Sequence, residues 1–384
     1  MIKNFRNVAI VASLSTAAYA APFLAIGDNA ELFLTGTLGV RFDDNVLLTK
    51  NNESDTVFEF APGFSLEFGK NALTKGALTY TETISRFMDN DDLDTELSDV
   101  AFRTNYDDSK LKLKFDTRFS QLAQNTRDTR VPVGATGRAA LNRRDVFNIG
   151  GGGEVNVSEK TSVGAGGRFT STDYKRPGFV DSDEFSVPVN VYYELTPKVD
   201  LSAGLRYRST DLASGGNDSE DYYYNVGARG EFTPKLSGEF SVGYNQRDVD
   251  GGGDKSSLGL DSTFTYLYSE KTSFRAALSN DFGVDAAGES QENSILSLGV
   301  DSAIAPDLKV GAGITYRRID YVFADYEDDY IEGNLRATYI VNEYFNLFGG
   351  YTYRDNDGGR EFTSVADNPS FTNHVFSFGT QIRY

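Results

Sequence analysis

The last fourteen residues, 371–384, alternate between apolar and polar side chains, and no other pattern constrains the fold as strongly. One set of alternate positions contains Phe376, Phe378, Ile382 and Tyr384, and the interleaved set is mostly small or polar. Successive side chains of a β-strand point to opposite faces, so one face of this segment can contact lipid while the other contacts water. The pattern is typical of a strand in a transmembrane β-barrel.

The N-terminal residues 1–20 have the features of an export signal. Two basic residues precede the short apolar run Val8–Leu14, and Ala18–Ala20 supplies a small-x-small cleavage pattern. The apolar run is too short to cross a bilayer as a helix. We therefore expect residues 1–20 to be a removed signal peptide and residues 21–384 to form an outer-membrane barrel.

The composition narrows the possible functions. The chain has 0 Cys, which excludes disulfides and thiolate metal sites. It carries 56 acidic and 37 basic residues, and the resulting charge of -19 argues against nucleic-acid binding. The negative mean hydropathy argues against helical membrane spans, but it is compatible with strands of which only alternate residues touch lipid.

Short segments of similar sequence recur with a period of roughly 37 residues, the length expected for hairpins of ~10-residue strands with their loops. Ser158–Ser162 repeats as Ser269–Ser273, and Thr196–Val199 returns as Thr233–Leu236 with one change. Longer connections rich in Asp, Asn, Gly and Ser lie between them. The alternation predicts an all-β, antiparallel up-and-down barrel of about 18 strands, with short periplasmic turns and long acidic extracellular loops.

A soluble, secreted β-sandwich or repeat protein would also show alternating strands. Aromatic residues at both ends of the strands, on the lipid-facing parity, favour the membrane barrel instead. These girdle residues are Tyr207, Tyr244, Tyr316 and Tyr353 at one rim and Tyr106, Tyr193, Phe232 and Tyr268 at the other.

Catalysis and metal binding have little support in the sequence. The only histidine, His374, lies on the lipid-facing parity without a carboxylate on its own strand, so we expect no enzyme activity of the Ser/His or Asp/His type. The acidic stretches Asp89–Asp94 and Asp248–Asp254 lack the spacing of a calcium loop. We expect no cofactor, although divalent cations that bridge these loops to lipopolysaccharide are an open alternative.

Positive charge collects on the water-facing parity, together with carboxylates such as Glu59 and Asp281. Either the charges pair and merely keep the lumen solvated, or the arginine surplus favours anions. The candidate pore-lining and constriction residues are Arg41, Arg103, Arg118, Arg127, Arg130, Arg138, Arg143, Arg168, Arg206, Arg229, Arg275, Arg317, Arg336 and Arg354.

The third long connection, about Gln121 to Arg144, is the longest and the only clearly basic one. Connections of more than ~12 to 15 residues are usually functional or disordered. This loop either folds inward and narrows the pore with its arginines or extends outside as a mobile loop. Only about ten residues separate Ala21 from the first strand, too few for a plug domain.

Two segments carry a family resemblance. Leu38–Val46 reads Leu-Gly-Val-Arg-Phe-Asp-Asp-Asn-Val, and Phe58–Phe64 ends in Ala-Pro-Gly-Phe. Together they resemble the opening of the putative β-barrel porin 2 family. The resemblance implies a barrel channel, and because some members serve exopolysaccharide export, it also implies a periplasmic polysaccharide-export protein as a partner. It carries over no catalytic residue.

We expect a channel in the outer membrane of a Gram-negative bacterium that passes anionic or sugar-like solutes passively, or exports an exopolysaccharide. The alternative is a non-conducting structural or surface-interaction barrel that binds cations, lipopolysaccharide or an export partner. Outer-membrane lipids and lipopolysaccharide are expected partners in both cases. The barrel-assembly machinery, acting through the C-terminal strand, is another, whereas nucleic acid is not.

Overall fold

A computed structural model describes residues 21–50, 52–123, 125, 141–213, 216–324, 326–358 and 370–384. These residues form nineteen β-strands and one short 3₁₀-helix, Asp91–Leu93. The strands are β1 (Leu24–Ile26), β2 (Ala30–Asp43), β3 (Asp55–Phe68), β4 (Thr74–Phe87), β5 (Thr95–Asp107), β6 (Leu111–Ala123), β7 (Arg143–Asn156), β8 (Thr161–Tyr174), β9 (Ser182–Thr196), β10 (Val199–Leu212), β11 (Ser219–Thr233), β12 (Leu236–Val249), β13 (Gly253–Leu267), β14 (Thr272–Val284), β15 (Ser290–Ala303), β16 (Leu308–Tyr321), β17 (Glu327–Ile340), β18 (Phe345–Gly358) and β19 (Phe371–Arg383). No helix among the described residues is long and apolar enough to span a membrane.

Strands β2 to β19 form a closed ring. Each pairs antiparallel with the next, and β19 pairs with β2, where Phe376 lies opposite Phe42. The short β1 only extends the β2 edge. The predicted antiparallel barrel of about 18 strands is therefore confirmed, and closure satisfies the sheet edges that an open sheet would expose.

Inner and outer faces follow the predicted alternation. On β2, Leu34, Leu38 and Phe42 are 42%, 59% and 47% exposed, whereas Phe33 is 5% exposed. Long apolar side chains exposed on one parity of most long strands define the outer face. Ion pairs between non-adjacent strands lie on the other parity, and such pairs can form only inside a closed ring.

Short connections lie at one end of the ring, which we call the short-turn end, and longer ones at the other, the long-loop end. Those at the short-turn end are 69–73, 108–110, 157–160, 197–198, 234–235, 268–271, 304–307 and 341–344. The long-loop end has exceptions: residues 250–252 alone join β12 to β13, and the connections 285–289 and 322–326 are no longer than 69–73 at the other end. Gly251 and Gly253 allow the tight β12–β13 connection because both have positive φ (+73° and +90°).

The predicted third loop is shorter at both ends than the sequence suggested. Gln121–Ala123 belongs to β6, and Arg143–Arg144 begins β7. Residues 126–140 lie outside the described residues, so the predicted positions of Arg127, Arg130 and Arg138 and the inward fold of this loop stay predictions.

The Pro-Gly element of the family motif has a structural reason. The β3–β4 ladder is interrupted at Ala61 and Pro62, and proline has no N–H to donate. A Cβ on Gly63 would lie 2.3 Å from the Tyr80 carbonyl oxygen, so only glycine fits without displacing β4.

The strand pairing of the ring is incomplete between β13 and β14. This ladder pairs Leu260–Leu267 with Ser273–Asn280, whereas the β14–β15 ladder continues to Val284. Towards the long-loop end, β14 carbonyls instead accept hydrogen bonds from arginines: Arg208 Nη2 donates to Phe282 O (2.8 Å) and Arg247 Nη1 to Gly283 O (2.6 Å). Since Arg208 is on β10 and Arg247 on β12, this end of β14 must lean into the lumen.

Candidate functional site: the barrel lumen

The lumen is the candidate site, because its wall carries the predicted arginines. The structure places ten of them on the inner parity: Arg41, Arg103, Arg118, Arg168, Arg206, Arg229, Arg275, Arg317, Arg336 and Arg354. Arg143 departs from the prediction, since it shares the outer parity of β7 with Phe147 and Ile149. Its guanidinium donates to the Glu96 carbonyl oxygen (3.5 Å) at the long-loop end.

Most inner arginines from β14 through β19 and on to β6 pair with a carboxylate on the same or a neighbouring strand. Arg41 bonds Asp43 (2.6 Å), Arg354 bonds Glu332 (3.0 Å) and Arg118 bonds Asp99 (2.8 Å). Arg275 pairs with Asp301, and Arg317 donates to Asn293. In this part of the wall the pairing fits the interpretation of a solvated, charge-compensated surface.

Between β7 and β14 the pairs reach across several strands. Arg229 on β11 donates to both oxygens of Glu154 on β7 (2.9 and 2.7 Å) and bonds Asp200 on β10 (3.0 Å). Its guanidinium also lies 3.4 Å from the centre of the Tyr192 ring. One arginine thus ties together four strands of the inner wall.

A second network joins β10 to β14. Arg206 donates to both oxygens of Asp281 (2.8 and 2.9 Å), and Arg208 donates to Asp281 (3.2 Å) and to Asp221 (2.7 Å). Asp221 also accepts two hydrogen bonds from Arg247 (2.7 and 2.8 Å). Asp221 is 0% and Arg247 1% exposed, so this network is a packed core inside the lumen.

These contacts constrain the shape of the ring. Strands lie about 4.8 Å apart, so four strand spacings measure roughly 19 Å along the wall. An arginine and a carboxylate cannot together bridge that length. The wall must therefore bend sharply between β7 and β14, and its side chains fill that side of the lumen.

Arg103 and Arg336 are inner arginines without a carboxylate partner within the described residues. The Arg336 guanidinium lies 5.0 Å from the centre of the Phe348 ring, and its Nε makes no hydrogen bond. Phe348 lies flat on the wall because the neighbouring Gly379 has no side chain there; a Cβ would be 2.6 Å from the ring. Arg336 therefore presents an uncompensated charge that an aromatic ring positions.

The first loop, residues 44–54, reaches over the inner wall. Val46 and Leu47 pack with Leu93 against Val57 and Phe87, which lie on the inner parity of β3 and β4. An apolar cluster thus forms at the long-loop end of the lumen. The sequence analysis did not predict that the first loop lies over the lumen, because it considered only the third loop as a constriction.

The Asp-Asp-Asn element of the family motif anchors that loop. Asn45 is 0% exposed, and its Nδ2 donates to the carbonyl oxygens of Thr49 (2.8 Å) and Thr372 (3.0 Å). Asn373 Nδ2 donates to Asp43 Oδ1 (2.6 Å), and the His374 amide donates to Asp44. The motif therefore links the loop to β19 at the closure of the ring.

His374 lies on the outer face, as predicted. Its Nδ1 is 2.9 Å from the Tyr351 hydroxyl, and its ring lies 5.1 Å from that of Tyr353. The aromatic rim includes further ring contacts, such as Tyr207 with Tyr222 (5.3 Å). Among the described residues, no three His, Cys, Asp or Glu side chains converge in a way that could hold a metal ion.

Three structural comparisons show similarity of fold alone. OpdL of Pseudomonas aeruginosa is 13% identical with a TM-score of 0.47, covering 93% of this chain and 99% of OpdL. OccK1 (OpdK) of the same organism is 11% identical with a TM-score of 0.48, covering 93% and 99%. A ferric enterobactin receptor (PfeA) mutant from P. aeruginosa is 9% identical with a TM-score of 0.48, covering 91% and 80%.

No curated protein matches the sequence. The profile of the family described as putative beta-barrel porin 2 matches residues 22–384, nearly the whole length of the chain. The motif resemblance and the closed 18-stranded ring agree with this match. The chain therefore belongs to the putative beta-barrel porin 2 family.

Proposed function

We propose that the protein is an outer-membrane channel for the passive passage of anionic or sugar-like solutes. The observation that carries the proposal is a closed ring of long strands that is apolar outside and charged inside. Such a ring suits lipid on one side and water on the other, and about 18 strands are enough to leave an aqueous interior. Membership of a porin family supports the same conclusion.

In this proposal the short-turn end faces the periplasm and the long-loop end the cell exterior. Lipopolysaccharide then surrounds the long-loop end, and outer-membrane lipids cover the exposed apolar belt. The same barrel would serve in the export of an acidic exopolysaccharide beside a periplasmic partner, which the motif resemblance supports.

Selectivity rests on the charges that the wall leaves uncompensated. Arg103 and Arg336 lack carboxylate partners in the described residues, whereas Arg206 and Arg229 are each paired with a carboxylate, Asp281 and Glu154. Fixed charges that line a pore attract the opposite ion. We therefore expect a preference for anions, although the protein as a whole is acidic.

Single-channel recording of the full chain in a planar bilayer tests the proposal. We expect steady conductance steps in KCl and a reversal potential under a salt gradient that indicates anion preference. Deletion of residues 126–138 tests the constriction by the third loop, and an unchanged conductance would refute it. A complete absence of conductance would overturn the channel and favour a surface-binding barrel.

A further inference from the structure

Four cations on the inner wall of β4, β5 and β6 have no ion pair and no side-chain hydrogen bond within the described residues. They are Lys75 on β4, Arg103 on β5, and Lys112 and Lys114 on β6, and all four are exposed. All lie in the half of the wall near the short-turn end. We call them the basic patch.

The strand register places the four side chains close together. Lys75 and Lys114 both lie opposite Asn105, one on each side of β5, and Arg103 is the next inward residue on β5. Lys112 and Lys114 are two residues apart on one strand, about 7 Å. The patch thus spans three adjacent strands, and within it one inward carboxylate, Asp107 on β5, lies directly opposite Lys112.

Two neighbouring carboxylates at the border of the patch are occupied by other groups. Asp116, directly opposite Arg103, accepts from two nitrogens of Arg168 (2.9 and 2.8 Å). Glu154, directly opposite Lys112, is engaged by Arg229 and by the Ser162 hydroxyl (2.8 Å). Two arginines from farther along the wall therefore hold these two carboxylates, which leaves the four patch cations with a surplus of positive charge over Asp107.

The nearest turn offers no compensation either. Asp108 accepts hydrogen bonds from the amides of Lys110 and Leu111 (2.7 Å each) and from the Tyr106 hydroxyl (2.7 Å). The Lys110 amide and then the Tyr106 hydroxyl hold the pKa of Asp108 below its ordinary value. Its carboxylate is therefore charged at neutral pH but is committed to the turn.

Beside the patch, several inner positions of β7 and β8 are glycines. Lys114 lies opposite Gly152, which lies opposite Gly166, and Gly164 lies opposite Glu154. Gly150 is covered by the Arg168 guanidinium, which a Cβ there would approach to 2.7 Å. Gly152, Gly164 and Gly166 thus form a backbone floor next to the four cations, and the Tyr192 ring borders it, 3.4 Å from where a Cβ on Gly164 would lie.

We propose that the basic patch and this glycine floor form a binding site for oligovalent anions, solutes that carry several phosphate or carboxylate groups. Several cations within one patch favour a ligand with several charges over a monovalent ion, since each additional contact adds attraction without a new partner. The site concentrates such solutes at the short-turn end of the lumen. This inference rests on the proposed channel function.

The test uses the full-length protein and tripolyphosphate as the probe. In a planar bilayer at 0.1 M KCl, where the Debye length is about 10 Å, tripolyphosphate should block the current, and orthophosphate should block it far less. In the quadruple variant Lys75→Gln, Arg103→Gln, Lys112→Gln, Lys114→Gln we expect about tenfold weaker block. Titration calorimetry of the detergent-solubilised protein measures the same affinity without any current.

A matched control removes the same charge at the same end, outside the lumen. Lys160, Lys198, Lys235 and Lys271 are exposed turn residues, and their joint change to Gln should leave the block unchanged. A second variant, Gly164→Asn, places a side chain on the floor, where a Cβ meets only ordinary contacts of 3.4 Å or more. It should weaken tripolyphosphate binding while the chloride selectivity stays as in the wild type.

The two proposals fail in different ways. If the wild type conducts and tripolyphosphate blocks the quadruple variant as strongly as the wild type, the binding site is refuted and the channel is not. An equal loss in the turn-lysine control would also overturn the binding site, because overall charge would then explain the block. A wild type that conducts nothing but binds tripolyphosphate through the patch would overturn the channel and leave the site standing.

Discussion

The two sides of the lumen are built differently. From β7 to β14, arginines and carboxylates on strands up to four apart bond one another across a sharply bent wall, and we call this the cross-linked sector. From β15 through β19 to β6, the open sector, charges pair mostly with neighbouring strands or stay unpaired. The comparison shows that similar inner arginines occur in two arrangements: on one side they join distant strands of the wall, and on the other they pair with near neighbours or stay unpaired.

The largest expected effect is on the cross-linked sector. Asp221→Ala leaves Arg208 and Arg247 without their shared buried carboxylate, and breaking such a buried network costs about 3 to 5 kcal/mol. The urea midpoint, read from the gel mobility of the folded barrel, should fall markedly. Glu327→Gln, in an exposed pair with Arg318 on the outer face, should cost no more than about 1 kcal/mol. Equal losses in both variants would contradict the assignment of the Asp221 network as a buried brace of the cross-linked sector.

A smaller effect is expected at the mouth of the open sector. Leu47→Asp places a charge in the apolar cluster with Val57 and Phe87, which removes about 2 kcal/mol of apolar burial and releases the first loop. Protease cleavage within residues 44–54 should become faster, and the single-channel conductance should rise. The same change at Leu73, 57% exposed in a short turn, should alter neither. A conductance unchanged by Leu47→Asp would show that the first loop does not narrow the passage.

Selectivity should respond to unpaired charges and not to complete pairs. Arg336→Gln removes an uncompensated cation, so the reversal potential should shift by several millivolts towards cations. The double change Arg354→Gln with Glu332→Gln removes a bonded pair without changing net charge, and should leave the reversal potential as it was. An equal shift in both variants would contradict the assignment of Arg336 as the charge that solutes meet.

The smallest effect probes the border between the sectors. Gly150→Ala brings a Cβ to 2.7 Å from Arg168, whose flexible end must move away from Asp116. The freed carboxylate can then neutralise Arg103, so anion preference should fall, by less than in Arg336→Gln. Gly151→Ala, one residue along on the outer face with a nearest contact of 3.5 Å, is the matched control and should change nothing.

Period-two alternation and the repeated turns were enough to predict the strand count and the inner parity of ten of the arginines. Arg143 was misplaced because the sequence pattern treated Gln121–Arg144 as one loop, whereas Arg143 begins β7 on the outer parity. Local patterns also cannot reveal which charges meet across the lumen. The bond from Arg229 to Glu154 joins residues 75 positions apart, and it depends on how the wall bends.

The sequence analysis did not predict Lys75 as a lumen residue. It considered the arginines as candidates and not the lysine that lies on the inner parity of β4. The sequence did mark Asn45, because it belongs to the Asp-Asp-Asn motif that resembles the family pattern. Its contacts with Thr372 and Asn373, however, depend on ring closure between the two ends of the chain. From the sequence, such a motif can therefore indicate the family, but only the structure shows which distant strands the motif joins.

Because the ladder between β13 and β14 is incomplete, the wall should differ from strand to strand in how often it opens, as it already differs in shape. Over residues 253–259, β13 pairs with β12 alone, so its amides that point towards β14 are not protected by that strand. Their hydrogens should exchange for deuterium sooner than those directed at β12. A line of fast exchange down one flank of the barrel would mark where the cylinder first opens as it unfolds.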